Sequence, residues 1–260
     1  MNKIHPTAIV DKKAKLADDV EVGPYAIIGP NVEIGKGAVV GPAANIEGYT
    51  TLGEGSRIFT GAIIGSPPQD LKYKGEKSFL KIGKNNTIRE YVTMNLGTEE
   101  GTATCVGDDN LFMAYSHVAH NCRVGNNCVI ANAGTLAGHV TLEDKVVLGG
   151  FAGVHQFTRV GKMSIIGGCS KVVQDIPPFS TCDGNPARVY GLNLIGVRRT
   201  GMSQKAQAEL KKAFKILFHS GLALKNGIAK VKKEIASMEE VEYLLNFLKD
   251  SERGICRGGK

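Results

Sequence analysis

The chain has 260 residues, 42% of them hydrophobic, with 32 Lys and Arg against 25 Asp and Glu for a net charge of +7. That composition belongs to one or two folded domains and excludes a disordered or low-complexity chain. No apolar run approaches the roughly 18 residues of a membrane span and no signal-like stretch follows Met1, so no membrane insertion is expected and the expected location is the cytoplasm. The moderate positive charge favours an acidic partner; no nucleic-acid partner is expected.

From Ile4 onward an aliphatic residue returns every six positions, through Val10, Leu16, Val22, Ile28, Ile34, Val40, Ile46, Leu52 and Ile58 to Ile64. The series resumes in the same phase at Ile82, Ile88 and Met94. It then runs unbroken from Val106 through Phe112, Val118, Val124, Ile130, Leu136, Leu142, Leu148, Val154, Val160 and Ile166 to Val172. A small residue often follows four positions later, as at Ala8, Ala26, Ala44, Cys122, Cys128 and Ala152. A strict six matches neither a 3.6-residue helix nor an alternating strand; it is the hexapeptide repeat of a parallel β-helix, three hexads to a coil of eighteen. Trp is absent and aromatics are 6%, as a thin prism requires. There is no CxxC, and Cys122 and Cys128 at the inward small position read as buried reduced thiols.

The repeat starts almost at once, so no domain is expected before it. Residues 65–81 break it, with Asp70 and Glu76 in phase, and 95–105 break it again with Glu100 in phase. Both are expected to leave the prism as loops, where binding groups tend to sit. Near Pro177-Pro178 the repeat ends, and a connecting segment runs to about 202. Ser203 is the expected N-cap for a helix to about Ser220, stopped by Gly221, with Ala206, Leu210, Phe214 and Leu217 roughly on one face. Shorter helices are expected at 222–236 and 238–250, and the tail from Arg253 is expected to fray. The predicted division is a β-helix domain over 1–192 and an α-helical domain over 193–260.

Val118, Leu136 and Val154 are eighteen apart and stack in one column, which brings His120, His139 and His155 to nearby places on successive coils, with His117 just before the column. One imidazole is enough for general-base chemistry near neutral pH. Several could hold a metal, but no carboxylate stands near them to orient the rings, so acid–base chemistry is preferred and no metal is expected.

Five segments carry a resemblance: the loop Gln69-Asp70-Leu71-Lys72-Tyr73-Lys74-Gly75-Glu76, His117-Val118-Ala119-His120-Asn121-Cys122, Leu136-Ala137-Gly138-His139-Val140, Val154-His155-Gln156-Phe157, and Gly167-Gly168-Cys169-Ser170. In this order they closely resemble the UDP-N-acetylglucosamine O-acyltransferases, which open lipid A biosynthesis, and the likeness covers essentially the whole chain. It implies a left-handed β-helix with a C-terminal helical domain, and a homotrimer with active sites between neighbouring prisms. The implied reaction is direct transfer of a 3-hydroxyacyl chain from acyl carrier protein to the 3-hydroxyl of UDP-N-acetylglucosamine, with no cofactor. By the match His120 is the general base and the Gly138 N–H donates to the oxyanion. Asp70, Lys72, His117, His139, His155 and Gln156 hold the sugar nucleotide or the acyl hydroxyl, Asn193 and Arg199 reach the nucleotide or the carrier, and Gly168 sets acyl length. Arg198, Arg199, Lys205, Lys211, Lys212 and Lys215 suit an acidic carrier protein.

The chain departs from the family pattern at Asn121, where many relatives have Asp, at Asn95-Leu96 in place of a His-Arg pair, and at Ile195 and Thr200, often Glu and Arg. Rival readings are the related N-acyltransferase, whose uridine-binding domain would have no room before Ile4, a γ-class carbonic anhydrase, and a non-catalytic scaffold or ice-binding prism, for which the Thr residues are too scattered.

Overall fold

Each hexad places a short strand on one face of a triangular prism, and every third hexad returns to the same face. The computed structural model, which describes residues 1–199 and 201–258, arranges these strands in three sheets of 11, 9 and 8. The register advances eighteen residues per coil: Lys3–Ile4 pairs with Glu21–Val22, Ile9–Val10 with Ile27–Ile28, and Lys15–Leu16 with Glu33–Ile34, all parallel. The result is a left-handed parallel β-helix, an exception to the right-handed crossover rule.

The inward aliphatics form one continuous core, with Ile28, Ile64, Phe112 and Leu136 at or near zero exposure. Only the first coil differs: Ile4 is 46% exposed, because that coil has a neighbour on one side alone. Cys122 and Cys128 are buried free thiols, and burial pushes them up to about 12 and about 11. Neither is a thiolate near neutral pH.

Arg57–Ile58 pairs with Thr87–Ile88, thirty residues on, and Thr87–Ile88 pairs with Leu111–Phe112, twenty-four on. The two loops therefore insert twelve and six residues, whole numbers of hexads, and the aliphatic phase survives both. They are shorter than the sequence predicts. Strands Ile63–Ser66 and Phe79–Ile82 confine the first loop to 67–78, and Thr93–Asn95 and Ala103–Val106 confine the second to 96–102. The cause is pairing: Phe79–Ile82 is hydrogen-bonded to Tyr49–Leu52 on one side and Ala103–Val106 on the other. Both loops leave from the corner joining the second and third sheets.

The segment after Pro177-Pro178 is not a simple connection. Strand Ser180–Asp183 extends the first sheet, strand Arg188–Leu192 pairs antiparallel to it, and helix α1 spans Leu194–Arg199. Phe179, Cys182 and Val189 are fully buried there and seal the last coil. Helix α2, Gln204–His219, is capped by Ser203, whose hydroxyl accepts from the Ala206 N–H at 3.1 Å, and it buries Ala206, Leu210, Phe214 and Leu217 as its pattern predicts. Helices α3, Leu224–Glu234, and α4, Glu239–Lys249, follow. Among the described residues no helix is long and apolar enough to cross a membrane.

The tail does not fray through 258. Ile255 and Cys256 are buried, the Cys256 N–H donates to Asp175 O at 2.8 Å, and the Val189 N–H donates to Arg257 O at 2.9 Å. These bonds satisfy backbone groups at the end of the prism that would otherwise be unpaired. Thr200 and the last two residues lie outside the described residues.

Candidate functional site

The corner between the second and third sheets carries Asn121, His139 and Phe157 in one column, eighteen residues apart. All three hold the left-handed conformation, at φ 58°, 61° and 63°. Asn tolerates that conformation; for His and Phe it costs of order 1–3 kcal/mol unless the surroundings impose it. Here the coil does, since the His139 N–H donates to His120 O at 3.0 Å. The His139 ring stacks on Phe157, with centroids 4.6 Å apart, and meets His120 edge-on at 5.2 Å.

His120 lies beneath the two loops. Its side chain is only 14% exposed, so it is not the open surface position that a prism corner suggests. Nδ1 lies 3.0 Å from Asn121 Oδ1, and Nε2 is 4.0 Å from Asp70 Oδ2 of the first loop. The ring lies against Gly138: a Cβ built there would fall 2.5 Å from His120 Cε1 and Nε2. Among the described residues the Gly138 N–H donates to nothing. The coil leaves this corner N–H free elsewhere too, since Pro30 occupies the equivalent place without cost. One free donor therefore lies beside the His120 ring.

His117 projects from strand His117–Val118 and shares a 2.7 Å hydrogen bond between its Nδ1 and Thr93 Oγ1 on the preceding coil. Burial, then the neighbouring His120, holds its pKa below the usual imidazole value. Burial and His120 likewise lower His139, offset in part by Glu99 and Asp70. Those two carboxylates correct the sequence expectation that none stands near the imidazoles: the loops deliver them from positions far from the His residues in the chain. No group of three or more His, Cys, Asp or Glu that could hold a metal occurs among the described residues.

Asp70 Oδ1 accepts from the Lys72 N–H at 2.9 Å, which closes the loop tip. Asp70, Lys72 and Tyr73 of the first loop and Thr98 and Glu99 of the second line a cavity of about 260 Å³. The loops are tied together where the Lys77 N–H donates to Glu100 Oε2 at 2.7 Å. Asn95, at a family departure, roots them: its Nδ2 donates to Ser66 Oγ at 2.9 Å and Pro67 O at 3.1 Å.

The remaining predicted residues stand apart from this cluster. His155 and Gln156 are exposed on the next coil, and His155 Nδ1 lies 2.9 Å from the Arg253 guanidinium of the tail. Asn193 uses its amide locally, donating to Met163 O at 2.8 Å and accepting from the Gly196 N–H at 3.0 Å at the start of α1. Arg199 is exposed at the end of α1, and Ile195 is 66% exposed. Gly168 is exposed at the corner between the first and second sheets, stacked beside Gly150, whose carbonyl would lie 3.2 Å from an added Cβ.

Sequence reasoning passed over Thr93, Thr98, Glu99, Phe157 and Arg253. Phe157 could have been found, since it lies eighteen residues after His139. Thr93 needs the six-residue insertion to be counted first. Nothing periodic marks the others.

Residues 175–256 match the family described as UDP-N-acetylglucosamine O-acyltransferase, domain 2, and residues 106–138 match the bacterial transferase hexapeptide repeat. The acyl-[acyl-carrier-protein]–UDP-N-acetylglucosamine O-acyltransferase of Thermodesulfovibrio yellowstonii is 50% identical over 258 residues, 99% of this chain and 100% of that protein. Its Myxococcus xanthus counterpart is 50% identical over the same shares. Among solved structures, a UDP-N-acetylglucosamine acyltransferase from Bacteroides fragilis superposes with a TM-score of 0.94 at 40% identity, covering 97% of this chain and 99% of the other. The Arabidopsis UDP-N-acetylglucosamine acyltransferase superposes at 0.87 with 34% identity, covering 98% and 100%.

Proposed function

The chain belongs to the acyl-[acyl-carrier-protein]–UDP-N-acetylglucosamine O-acyltransferase family, and on that premise we propose that it transfers a 3-hydroxyacyl chain from acyl carrier protein to the 3-hydroxyl of UDP-N-acetylglucosamine, the first step of lipid A biosynthesis, in the cytoplasm. The observation that carries this reading is the surroundings of His120: Nδ1 engaged by Asn121, with Nε2 free beside the unpaired Gly138 N–H and facing Asp70.

In this mechanism His120 Nε2 takes the proton of the sugar 3-hydroxyl as its oxygen attacks the thioester carbonyl carbon. The Gly138 N–H donates to the developing oxyanion. Collapse breaks the C–S bond, and the imidazolium returns its proton to the departing thiolate. The thioester is already activated, so no acyl-enzyme and no cofactor is needed, and the buried Cys122 takes no part. Asp70, Lys72, His117, His139, His155 and Gln156 hold the sugar nucleotide or the acyl hydroxyl. Asn193 and Arg199 reach the nucleotide or the carrier from the helical domain, which begins at 193. Arg198, Lys205, Lys211 and Lys215, with Lys212 partly taken by Glu209, face the acidic carrier.

The test is purified protein with UDP-N-acetylglucosamine and a panel of 3-hydroxyacyl carrier proteins, read by mass spectrometry. The O-acylated sugar nucleotide is the expected product, and its absence with every donor would overturn the reading. Gly168 and Gly150 stack without side chains at one point of the corner between the first and second sheets and suit a long chain, so donors of fourteen or sixteen carbons should outrun a ten-carbon one. Gly168→Met should shift preference toward shorter chains by roughly tenfold or more, the scale on which a pocket discriminates methylenes.

We also propose a homotrimer with its sites between prisms. In support, Tyr25, Tyr91, Tyr115 and Phe151 lie 50–72% exposed along the corner between the first and second sheets, with the Tyr91 and Tyr115 rings stacked at 5.2 Å, large rings that a neighbouring prism would cover. Sedimentation should return three chain masses; a monomer would remove the intersubunit cleft.

A further inference from the structure

We propose that Glu99 is a positioning residue for His120, acting through Asn121 to hold the imidazole in the tautomer whose Nε2 lone pair is free. The proposal rests on the reading of His120 as the general base.

The inference comes from donors and acceptors alone. Asn121 offers an oxygen and an NH2 group that exchange places if the amide flips. Its Nδ2 lies 3.3 Å from Glu99 Oε2, and a carboxylate only accepts. Its Oδ1 lies 3.0 Å from the Thr98 backbone N–H, which only donates. The two neighbours admit one orientation. Oδ1 therefore faces His120 Nδ1 at 3.0 Å, and Nδ1 must carry the proton. In a neutral ring that leaves Nε2 as the base, on the side facing Asp70.

Glu99 is itself placed. Thr98 Oγ1 lies 2.8 Å from both Glu99 Oε2 and Asn121 Oδ1, and its single proton goes to one of them. Thr102 Oγ1 donates to Glu99 O at 2.8 Å and so fixes the backbone of the loop. The Thr98 hydroxyl, then the backbone N–H of Glu99, holds the Glu99 carboxyl below the usual carboxylate range, so it is an anion at neutral pH. Asn121 is anchored from below where its N–H donates to Thr104 Oγ1 at 2.8 Å. The carboxylate that many relatives place directly after the base is thus supplied here one residue further out, from the second loop.

Removing Glu99 takes away the acceptor that holds the Asn121 NH2 and leaves the Thr98 N–H as the only fixed partner opposing a flip, which would turn the NH2 toward His120, favour the proton on Nε2 and idle the base. An aspartate at 121 cannot make this error, because both its oxygens accept. Glu99→Ala should therefore lower kcat roughly tenfold or more, within the range of general-base effects, with KM for the sugar nucleotide changed much less. The Glu99→Ala, Asn121→Asp double variant should recover most of the lost kcat. Nitrogen NMR of histidine-labelled protein reads the tautomer without turnover: His120, identified by loss of its signals in His120→Ala, should show a protonated Nδ1 in the wild type and the double variant and lose that preference in Glu99→Ala. Wild-type kcat in Glu99→Ala, an unchanged tautomer, or a double variant no better than Glu99→Ala would each overturn the proposal. Full turnover in His120→Ala would instead overturn the base assignment, and the tautomer measurement would still report on Glu99.

Discussion

His120→Ala should lower kcat by roughly 10²-fold or more, the loss expected when a general base is removed, while the protein stays folded. The side chain is 14% exposed and makes one hydrogen bond, with Asn121 Oδ1, an oxygen that keeps its bond from the Thr98 N–H when the ring is gone; Asp70 Oδ2, 4.0 Å from Nε2, is on a side chain itself 30% exposed. Replacement therefore strands no buried donor or acceptor, and the stability cost should stay near 1 kcal/mol. Steady-state turnover paired with a thermal melt separates the two effects. Near-wild-type turnover in a folded variant would take His120 out of the base role, and neither His117 nor His139 is placed to inherit it. His117 Nδ1 is spent on Thr93, and His139 is stacked on Phe157.

Gly138→Ala should produce the second large loss, about ten- to a hundredfold in kcat. Gly138 has an ordinary φ, so its backbone accepts alanine without strain. The obstacle is the His120 ring, 2.5 Å from where the new Cβ would lie. No contact of that length survives, and the ring rather than the coil must give way, because the corner is pinned by the Ala137 N–H to Val154 O and the Phe157 N–H to Gly138 O. A base displaced by about 1 Å loses on the order of 10²-fold. The Gly138 N–H itself is retained, so the loss would report the alignment of the base and not the oxyanion donor. Wild-type kcat in this variant would show that the ring has room to spare and that its packing on Gly138 does not matter.

Much of the site was legible from arithmetic. The eighteen-residue column placed His120 and His139 together, and the resemblance singled out Asp70 and Gly138, which the structure brings against His120. The same arithmetic groups His155 with them, but it lies exposed on the next coil and meets Arg253, nearly a hundred residues later. Asn121 read as a missing carboxylate. The structure answers that reading with Glu99, which lies in a loop outside the repeat and in none of the resembling segments. The loops are shorter than the breaks in the repeat predict for a related reason: in-phase polar residues mark where the core is interrupted, whereas strand pairing decides where a loop ends.

By itself the sequence determined the prism, its phase and its last three helices, but not α1 at Leu194–Arg199. The reason is that each hexad repeats one local rule, an aliphatic inward and a tight corner after it, and Ser203 with its apolar stripe is a rule of similar range. Only the tertiary structure decided how two loops from one corner fold back over His120, which way the Asn121 amide turns, and how the tail closes the last coil. Those outcomes rest on single contacts between residues far apart in the chain, such as Glu99 with Asn121 and Cys256 with Asp175, and no period or local propensity encodes them.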